Sequence, residues 1–183
     1  MSSSSASSSS VSIRQGTPAD IPTILKFIMD LAIYEKEPDA VKATPELVQE
    51  NIFDRKYAEV LIAEDTSTSP ATPIGLAIYF FSYSTWTAKP SLYLEDLYVD
   101  GARRNAGVGK AIFRALGKVA QERGCARMDW SELTENVSVE AVLTWNAPSI
   151  AFYEKTLGAT RMEEWRQMRL DEEGIKRLET LGL

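Results

Sequence analysis

Apolar residues recur along the chain with two different periods, and these periods predict its secondary structure. From Thr17 to Glu37 the apolar positions return every three or four residues, which is typical of an amphipathic helix with one buried side. Thr17 suits the N-cap of this helix, and Pro18 suits its first position. The stretch "TPELVQENIF" repeats the Thr-Pro start at Thr44 and predicts a second, shorter helix.

Shorter runs rich in β-branched and aromatic residues predict strands. "VSIRQ" predicts the first strand, and "AEVLIAED" and "IGLAIYFFSY" predict a hairpin around the turn formers "TSTSPATP". "SLYLEDLYVD" predicts a third strand beside them, and "CARMDWS" predicts a further strand. Between these last two we expect a helix from about Gly107 to Arg123, with Gly124 as its stop.

The last third of the chain continues the alternation of helices and strands. "NAPSIAFYEKTLGA" predicts a helix with Pro148 near its start and Gly158 just past its end. "RMEEWRQMRL" predicts one or two closing strands, and "DEEGIKRLETLGL" predicts a terminal helix. This order indicates an α/β fold, in which a mixed sheet carries helices on both faces. The segment around Gly107 forms a βαβ crossover, and ligands usually bind at the strand ends of such units.

Composition limits the classes of function. The serine tract at residues 1–10 cannot bury apolar area and predicts a disordered leader, so residues 11–183 are expected to form a single domain. The net charge of −6 argues against binding nucleic acid or an anionic membrane through a general basic surface. A single cysteine, Cys125, permits no intramolecular disulfide, and a cytoplasmic location is expected. Histidine is absent, which excludes a histidine-based triad and the common zinc sites, so no metal is expected.

One stretch, "YVDGARRNAGVGKAIFRALGKV", concentrates positive charge in this acidic chain. No acidic residue interrupts its five basic residues, which are Arg103, Arg104, Lys110, Arg114 and Lys118. Cations at the start of a helix oppose the helix dipole by up to about 1 kcal/mol each. The pattern therefore indicates a bound polyanion, although a solvated basic helix face is the alternative explanation.

The glycine spacing distinguishes between several known phosphate-binding motifs. A P-loop requires Gly where Arg104 stands and Ser or Thr at Ala111, and a dinucleotide-binding fingerprint requires a third Gly at Ile112. Neither motif fits. The pattern R-x-x-G-x-G fits, with Arg104, Gly107 and Gly109 following the strand "LYLEDLYV".

With this motif the chain resembles the GCN5-related N-acetyltransferase (GNAT) superfamily, in which R-x-x-G-x-G holds the pyrophosphate of acetyl-coenzyme A. "FSYSTW", "YLEDLYV", "WNAPSIAFYEKTLGA" and "EEW" resemble the spermidine/spermine and thialysine acetyltransferase branch. The resemblance runs from about Ile13 to Leu170 and implies the GNAT fold, with a mostly antiparallel central sheet. It also implies acetyl-CoA as co-substrate and a homodimer that shares substrate groups across its interface.

The resemblance assigns two catalytic residues. Glu95 is the family's candidate base for deprotonating the amine, and Tyr153 is the acid that protonates the coenzyme thiolate. From the residues alone, Glu95 could equally be a paired strand carboxylate, and Tyr153 could be a core tyrosine. Asp96 points away from Glu95 if the strand is regular, so the two carboxylates are not expected to share a role.

The remaining site residues also follow from the resemblance. Backbone NH groups of the central strand are expected to contact the pantetheine arm and to polarise the thioester, at Leu97, Tyr98 and Val99. The pyrophosphate turn comprises Arg104, Asn105, Ala106, Gly107, Val108, Gly109 and Lys110. A second coenzyme-contacting segment comprises Asn146, Ala147, Pro148 and Ser149, which could otherwise be only a helix cap. The amine site comprises Tyr34, Glu35, Trp86, Glu95 and Glu163, an acidic and aromatic set that suits a cation.

Two departures from the family pattern bear on function. Residues 132–141 look inserted and are expected to form a loop. Asn105 and Ala106 replace Gly and Gln, and Asn105 is tolerable if its backbone avoids a conformation that favours glycine. The expected activity is transfer of acetyl from acetyl-CoA to a small cationic amine, thialysine, a lysine-like amine or a polyamine, by direct attack in a ternary complex. The alternatives are acetylation of protein lysines and a catalytically impaired coenzyme A binding protein.

Overall fold

The structure is a computed structural model that describes residues 10–131, 147–162 and 170–178. The chain divides into two compact units, Met1–Ser131 and Glu132–Leu183. Of the serine tract, Ser10 lies within the described residues, and its carbonyl accepts hydrogen bonds from the amide and the hydroxyl of Thr66. The rest of the predicted leader lies outside them, as do residues 132–141, for which a loop is predicted.

A five-stranded sheet forms the centre of the first unit, in the order β1-β2-β3-β4-β5. Its strands are β1 (Val11–Gln15), β2 (Glu59–Asp65), β3 (Thr72–Ser84), β4 (Lys89–Val99) and β5 (Met128–Trp130). The first four strands pair antiparallel, and β5 pairs parallel to β4. The prediction of a mixed, mostly antiparallel sheet is confirmed.

Two helices cover one face of this sheet. They are α1 (Ile21–Tyr34) and α2 (Pro45–Val48), which continues as a π-helical segment, Gln49–Asp54. The predicted N-caps are present, since Thr17 starts a short 3-10 turn with a capping box and the Thr44 hydroxyl accepts from the amide of Leu47 at 3.3 Å. The core on this face consists of Ile24, Phe27, Val48, Val60, Ile62, Leu76, Ile78 and Tyr98.

The opposite face is covered by α3 (Val108–Glu122). Strand residues alternate between faces, so Gly75 and Ala77 lie opposite to the α1-facing Leu76 and Ile78. A Cβ on Gly75 would lie 2.9 Å from the Tyr98 carbonyl oxygen and 3.4 Å from Ile112 of α3. Glycine is therefore required here because a Cβ would collide with the backbone of β4, whereas its contact with Ile112 of α3 would be an ordinary one. α3 ends where predicted, with Gly124 at φ +67.

The middle of β4 contains a β-bulge. Asp96 pairs with Ile78 of β3 and Leu94 pairs with Tyr79, so Glu95 is the additional residue in β4. Cross-strand partners point to the same face, which places Asp96 with Ile78 on the α1 face. The expectation that Asp96 points away from Glu95 applied to a regular strand, and the bulge at Glu95 removes that condition.

The second unit contains two short helices. α4 (Ala147–Ala151) continues as a π-helical segment, Phe152–Leu157, and Gly158 follows at φ +72 as predicted. α5 (Glu172–Leu178) lies in the predicted terminal helix. Most of the predicted closing strands, residues 163–169, lies outside the described residues. In the described ranges, no helix has both the length and the apolar character that crossing a membrane requires.

Candidate active site

The connection between β4 and α3 supplies an uncapped helix start. A single 3-10 turn, Gly101–Arg103, follows β4, and Gly107 is the N-cap of α3 with φ +83, a conformation that favours glycine. A Cβ at Gly107 would meet nothing within 4 Å, so the requirement for glycine is conformational rather than steric. We call residues 104–109 the glycine turn.

The first turn of α3 carries no acidic residue, and no side chain caps it. The amide of Ala111 donates to the Gly107 carbonyl at 3.0 Å, which begins the helical hydrogen bonds. The preceding amides of Val108, Gly109 and Lys110 have no acceptor within the helix, because the first NH groups of a helix never do. Together with the dipole of a 15-residue helix, these amides form a site suited to an anion.

The five basic residues of this stretch have different surroundings. Arg103 forms an ion pair with Asp65, with 2.5 Å between Nη2 and Oδ2. The Arg104 guanidinium lies 4.4 Å from the centre of the Tyr34 ring, and its Nε lies 3.4 Å from the Val99 carbonyl oxygen. The other three are exposed along one side of α3: Lys110, Arg114 and Lys118.

Asn105 adopts a backbone conformation that favours glycine, contrary to the condition under which Asn was expected to be tolerated here. Its φ is +63, in the left-handed region that favours glycine. Asn occupies this region more readily than most residues, because its short polar side chain can hydrogen-bond locally. Asn can therefore replace the family's Gly because Asn tolerates the left-handed conformation, and not because the backbone avoids that conformation.

The end of α1 brings two predicted amine-site residues close to β4. Tyr34 is the last residue of α1, and Glu35 caps it, with its amide donating to the Leu31 carbonyl at 2.9 Å. Burial raises the pKa of the half-buried Glu35, and the charge of Asp96 raises it further. The two carboxylates therefore belong to one electrostatic cluster.

Asp96 is the residue of this cluster that sequence reasoning did not include. Burial raises the pKa of Asp96 to about 6, and the neighbouring charge of Glu95 contributes in the same direction. Glu95 itself is exposed at the bulge. Charge interactions thus link three carboxylates, those of Glu35, Glu95 and Asp96, and Tyr34 directly precedes Glu35 at the end of α1. We call these three side chains the acidic cluster.

The free edge of β4 lies next to this cluster. In the described residues, β5 pairs with β4 only at Leu92–Leu94, although β4 continues to Val99. On the other side, the predicted backbone donors Leu97, Tyr98 and Val99 pair with Ala77, Leu76 and Gly75 of β3. The Tyr98 ring packs 5.1 Å from the ring of Phe27, which fixes the strand against α1.

Other predicted residues do not join this group within the first unit. Trp86 is 87% exposed in the β3–β4 turn, at the opposite end of β4 from the glycine turn. The seven-residue step from Lys89 to Asp96 alone spans about 23 Å of extended strand. Ala147, Pro148, Ser149 and Tyr153 belong to α4 and its π-helical continuation in the second unit. Asn146 and Glu163 lie outside the described residues.

Comparisons with known proteins agree with this architecture. Residues 25–159 match the Acetyltransferase (GNAT) family. Thialysine N-epsilon-acetyltransferase of Sus scrofa is 35% identical over 92% of this chain and 97% of that protein. Spermidine/spermine N(1)-acetyltransferase-like protein 1 of Homo sapiens is 31% identical over 89% of this chain and 23% of that protein. An integron cassette protein of V. cholerae has a similar fold, with a TM-score of 0.70 at 20% identity, covering 94% of this chain and 99% of that chain.

The chain belongs to the GNAT family of acetyltransferases. It is an N-acetyltransferase, of the branch that the sequence motifs indicated.

Proposed function

We propose that this enzyme transfers acetyl from acetyl-CoA to a primary amine of a small cationic substrate, namely thialysine, a lysine-like amine or a polyamine. The observation that carries the proposal is the acidic cluster on and beside β4, the strand that leads through the glycine turn into an uncapped, anion-binding helix start. A cationic amine and an anionic carrier thus find complementary charges along one segment of the chain. Two curated relatives are named for thialysine acetylation and for likeness to spermidine/spermine acetyltransferase.

The glycine turn fits the diphosphate of acetyl-CoA. The amides of Val108, Gly109 and Lys110 would donate to it, with Arg104 and Lys110 supplying charge, and the open space at Gly107 leaves room for close approach. Backbone groups at the free edge of β4 would hold the pantetheine arm. When bound, acetyl-CoA supplies the acetyl group as a thioester, and its carbonyl is polarised by backbone donors that need no reorganisation.

The acidic cluster would bind the amine and remove its proton. An alkylamine with a pKa near 10.4 enters as the ammonium ion at neutral pH, so it must lose a proton before attack. Asp96, with a pKa of about 6, is ionised at neutral pH and is a better-matched base than an ordinary carboxylate. We assign base catalysis to Glu95 and Asp96 together and electrostatic binding of the cation to Glu35. The Tyr34 ring offers a further cation contact.

Several features of the proposal rest on the family resemblance. Tyr153 is assigned as the acid for the departing thiolate, and the reaction is direct attack in a ternary complex. Residues 11–183 are taken as one catalytic domain of a cytoplasmic homodimer, with Trp86, Ala147, Pro148 and Ser149 completing the site together with Asn146 and Glu163.

Release of coenzyme A thiol tests the proposal. The enzyme is incubated with acetyl-CoA and, separately, thialysine, lysine, spermidine and a lysine-containing peptide. A small amine should accelerate thiol release well above the rate with the peptide. Preference for the peptide would favour protein acetylation. Binding of acetyl-CoA without acceleration by any acceptor would instead favour an impaired coenzyme A binding protein.

A further inference from the structure

Within the described residues, Arg103 is the one basic residue of the stretch whose guanidinium has a buried acidic partner. That partner, Asp65, ends β2 and is 1% exposed. Its Oδ1 accepts from the Ser67 amide at 2.9 Å and from the Ser67 hydroxyl at 2.6 Å. Its Oδ2 lies 2.5 Å from Arg103 Nη2 and, within the described residues, accepts no well-aligned hydrogen bond. The hydrogen bonds from Ser67 are the main cause of the lowered pKa of Asp65, and Arg103 supplies the positive charge that faces Oδ2.

This ion pair ties the chain just before the glycine turn to a strand two positions away in the sheet. The Asp100 amide donates to the Ile74 carbonyl of β3 at 3.0 Å, and the Arg103 amide donates to the Asp100 carbonyl at 2.8 Å. The segment is thus held by its backbone at β3 and by the Arg103 side chain at β2. From Gly101 to Gly107 every residue is exposed, so this stretch has little packing of its own to order it.

We propose that Asp65 is a positioning residue for acetyl-CoA: through its ion pair with Arg103 it holds the glycine turn in the conformation that binds the diphosphate. The inference rests on the proposed function of this turn. Arg103 is consequently an anchor and not a phosphate ligand, which leaves Arg104 and Lys110 to meet the anion. Preorganisation of the turn lowers the entropic cost of binding, so the effect belongs to cofactor affinity and not to chemistry.

The charge of Asp65 gives a second reason for this assignment. If Arg103 were removed, a buried carboxylate without its partner would lie one arginine side chain away from the anion site. Such a charge is costly by itself and also repels a diphosphate. Loss of either partner should therefore weaken acetyl-CoA binding, and loss of both should cost less than the sum of the two single losses.

The test uses Asp65→Asn in the full-length enzyme. This variant keeps the shape of the side chain and its capacity to accept from Ser67, but it removes the charge that holds Arg103. The KM and the calorimetric Kd for acetyl-CoA should rise about 10-fold, whereas kcat at saturating acetyl-CoA and the KM for the amine should change less than about twofold. Arg103→Gln should reproduce this pattern, and Arg103→Lys should restore part of the affinity.

Asp20→Asn is the matched control. Asp20, which precedes α1, is another buried carboxylate paired with an arginine. Its Oδ1 lies 2.7 Å from Nη2 of Arg14 in β1. Its replacement should lower the melting temperature without raising the KM for acetyl-CoA. This contrast separates a positioning role from a general loss of stability.

The outcomes are distinct. If the wild type binds acetyl-CoA and both Asp65→Asn and Arg103→Gln bind it with the same affinity, the inference is overturned but the proposed function is not. An equal rise in the KM for the amine, or the same effect from Asp20→Asn, also overturns it. Absence of binding heat for the wild type overturns the proposed function together with the inference. Should Asp65→Asn fail to fold, Arg103→Gln and Arg103→Lys decide, because the Arg103 side chain is 44% exposed and Arg103→Lys keeps a positive charge for Asp65.

Discussion

The side chain of Asp96 combines a cost in stability with the catalytic role proposed for it. Folding raises its pKa from the ordinary 3.8 to about 6, because the carboxyl is buried and faces Glu95. Between these pH values the folded protein binds more protons than the unfolded chain, so the free energy of unfolding falls as the pH rises through this window. At neutral pH the full cost of the buried charge is present.

Asp96→Asn should therefore stabilise the protein while impairing it. We expect the free energy of unfolding at pH 7.5 to increase by roughly 2 kcal/mol, and kcat/KM for the amine to fall at least about 100-fold. Wild-type activity should increase as the pH rises through about 6, since the base must be ionised. Thermal unfolding at pH 4 and pH 7.5 and a pH-rate profile measure both effects. Exposed Asp54→Asn should change neither, and a less stable Asp96→Asn would contradict the burial argument.

Tyr153 belongs to the π-helical continuation of α4, and its proposed role is to protonate the departing coenzyme thiolate. Tyr153→Phe should lower kcat at least about 100-fold, because the thiolate then leaves without a proton donor. The calorimetric Kd for acetyl-CoA should stay within about twofold. Tyr57→Phe, at an exposed tyrosine, is the control. Comparable losses of kcat and cofactor affinity would indicate a packing role instead.

At the scale of elements, the β4–α3 connection depends on two residues with positive φ, Asn105 and Gly107. Replacing Asn105 by Gly should leave stability and acetyl-CoA affinity nearly unchanged, because Gly adopts the left-handed conformation without strain. Replacing it by Val should cost about 1–2 kcal/mol and raise the KM for acetyl-CoA, because a β-branched residue resists this conformation. Chemical denaturation and steady-state kinetics check both variants. A large loss of affinity in Asn105→Gly would instead reveal a direct contact of the Asn side chain with the cofactor.

The β4 bulge changes which residues of this strand share a face. Asp96 lies two residues before Tyr98 and shares its face, toward α1, as regular alternation requires. Without the extra residue at Glu95, Leu94 would share that face too, whereas with it Leu94 pairs with Tyr79 and lies on the opposite face. The bulge therefore lets β4 present the apolar Leu94 to one face of the sheet and the carboxylate of Asp96 to the other.

At the scale of the whole molecule, the exposed Trp86 provides a test of the proposed homodimer. A tryptophan that is 87% exposed in a hairpin turn, far along β4 from the acidic cluster, suits a residue that a second copy of the chain covers and uses. Light scattering should give twice the chain mass of 20.3 kDa. Trp86→Ala should raise the KM for the amine more than that for acetyl-CoA. A fully active species with the mass of one chain would contradict the homodimer.

Local patterns predicted the elements well because their physical causes are local. The Thr-Pro starts of α1 and α2 and the glycine after α3 lie where caps and stops were expected. These signals depend on neighbouring backbone groups and on conformational preferences of single residues. The R-x-x-G-x-G spacing likewise depends on the backbone of one turn, so the family and the start of α3 could be predicted from it.

The sequence by itself determined the order of helices and strands from β1 to β5, the mixed sheet and the place of the glycine turn. Only the tertiary structure decided that Arg103 pairs with Asp65, that Arg104 lies over Tyr34, and that Asp96 joins Glu35. The physical reason is that ion pairing, desolvation and strand register depend on residues up to about seventy positions apart, and no local period records which of them meet.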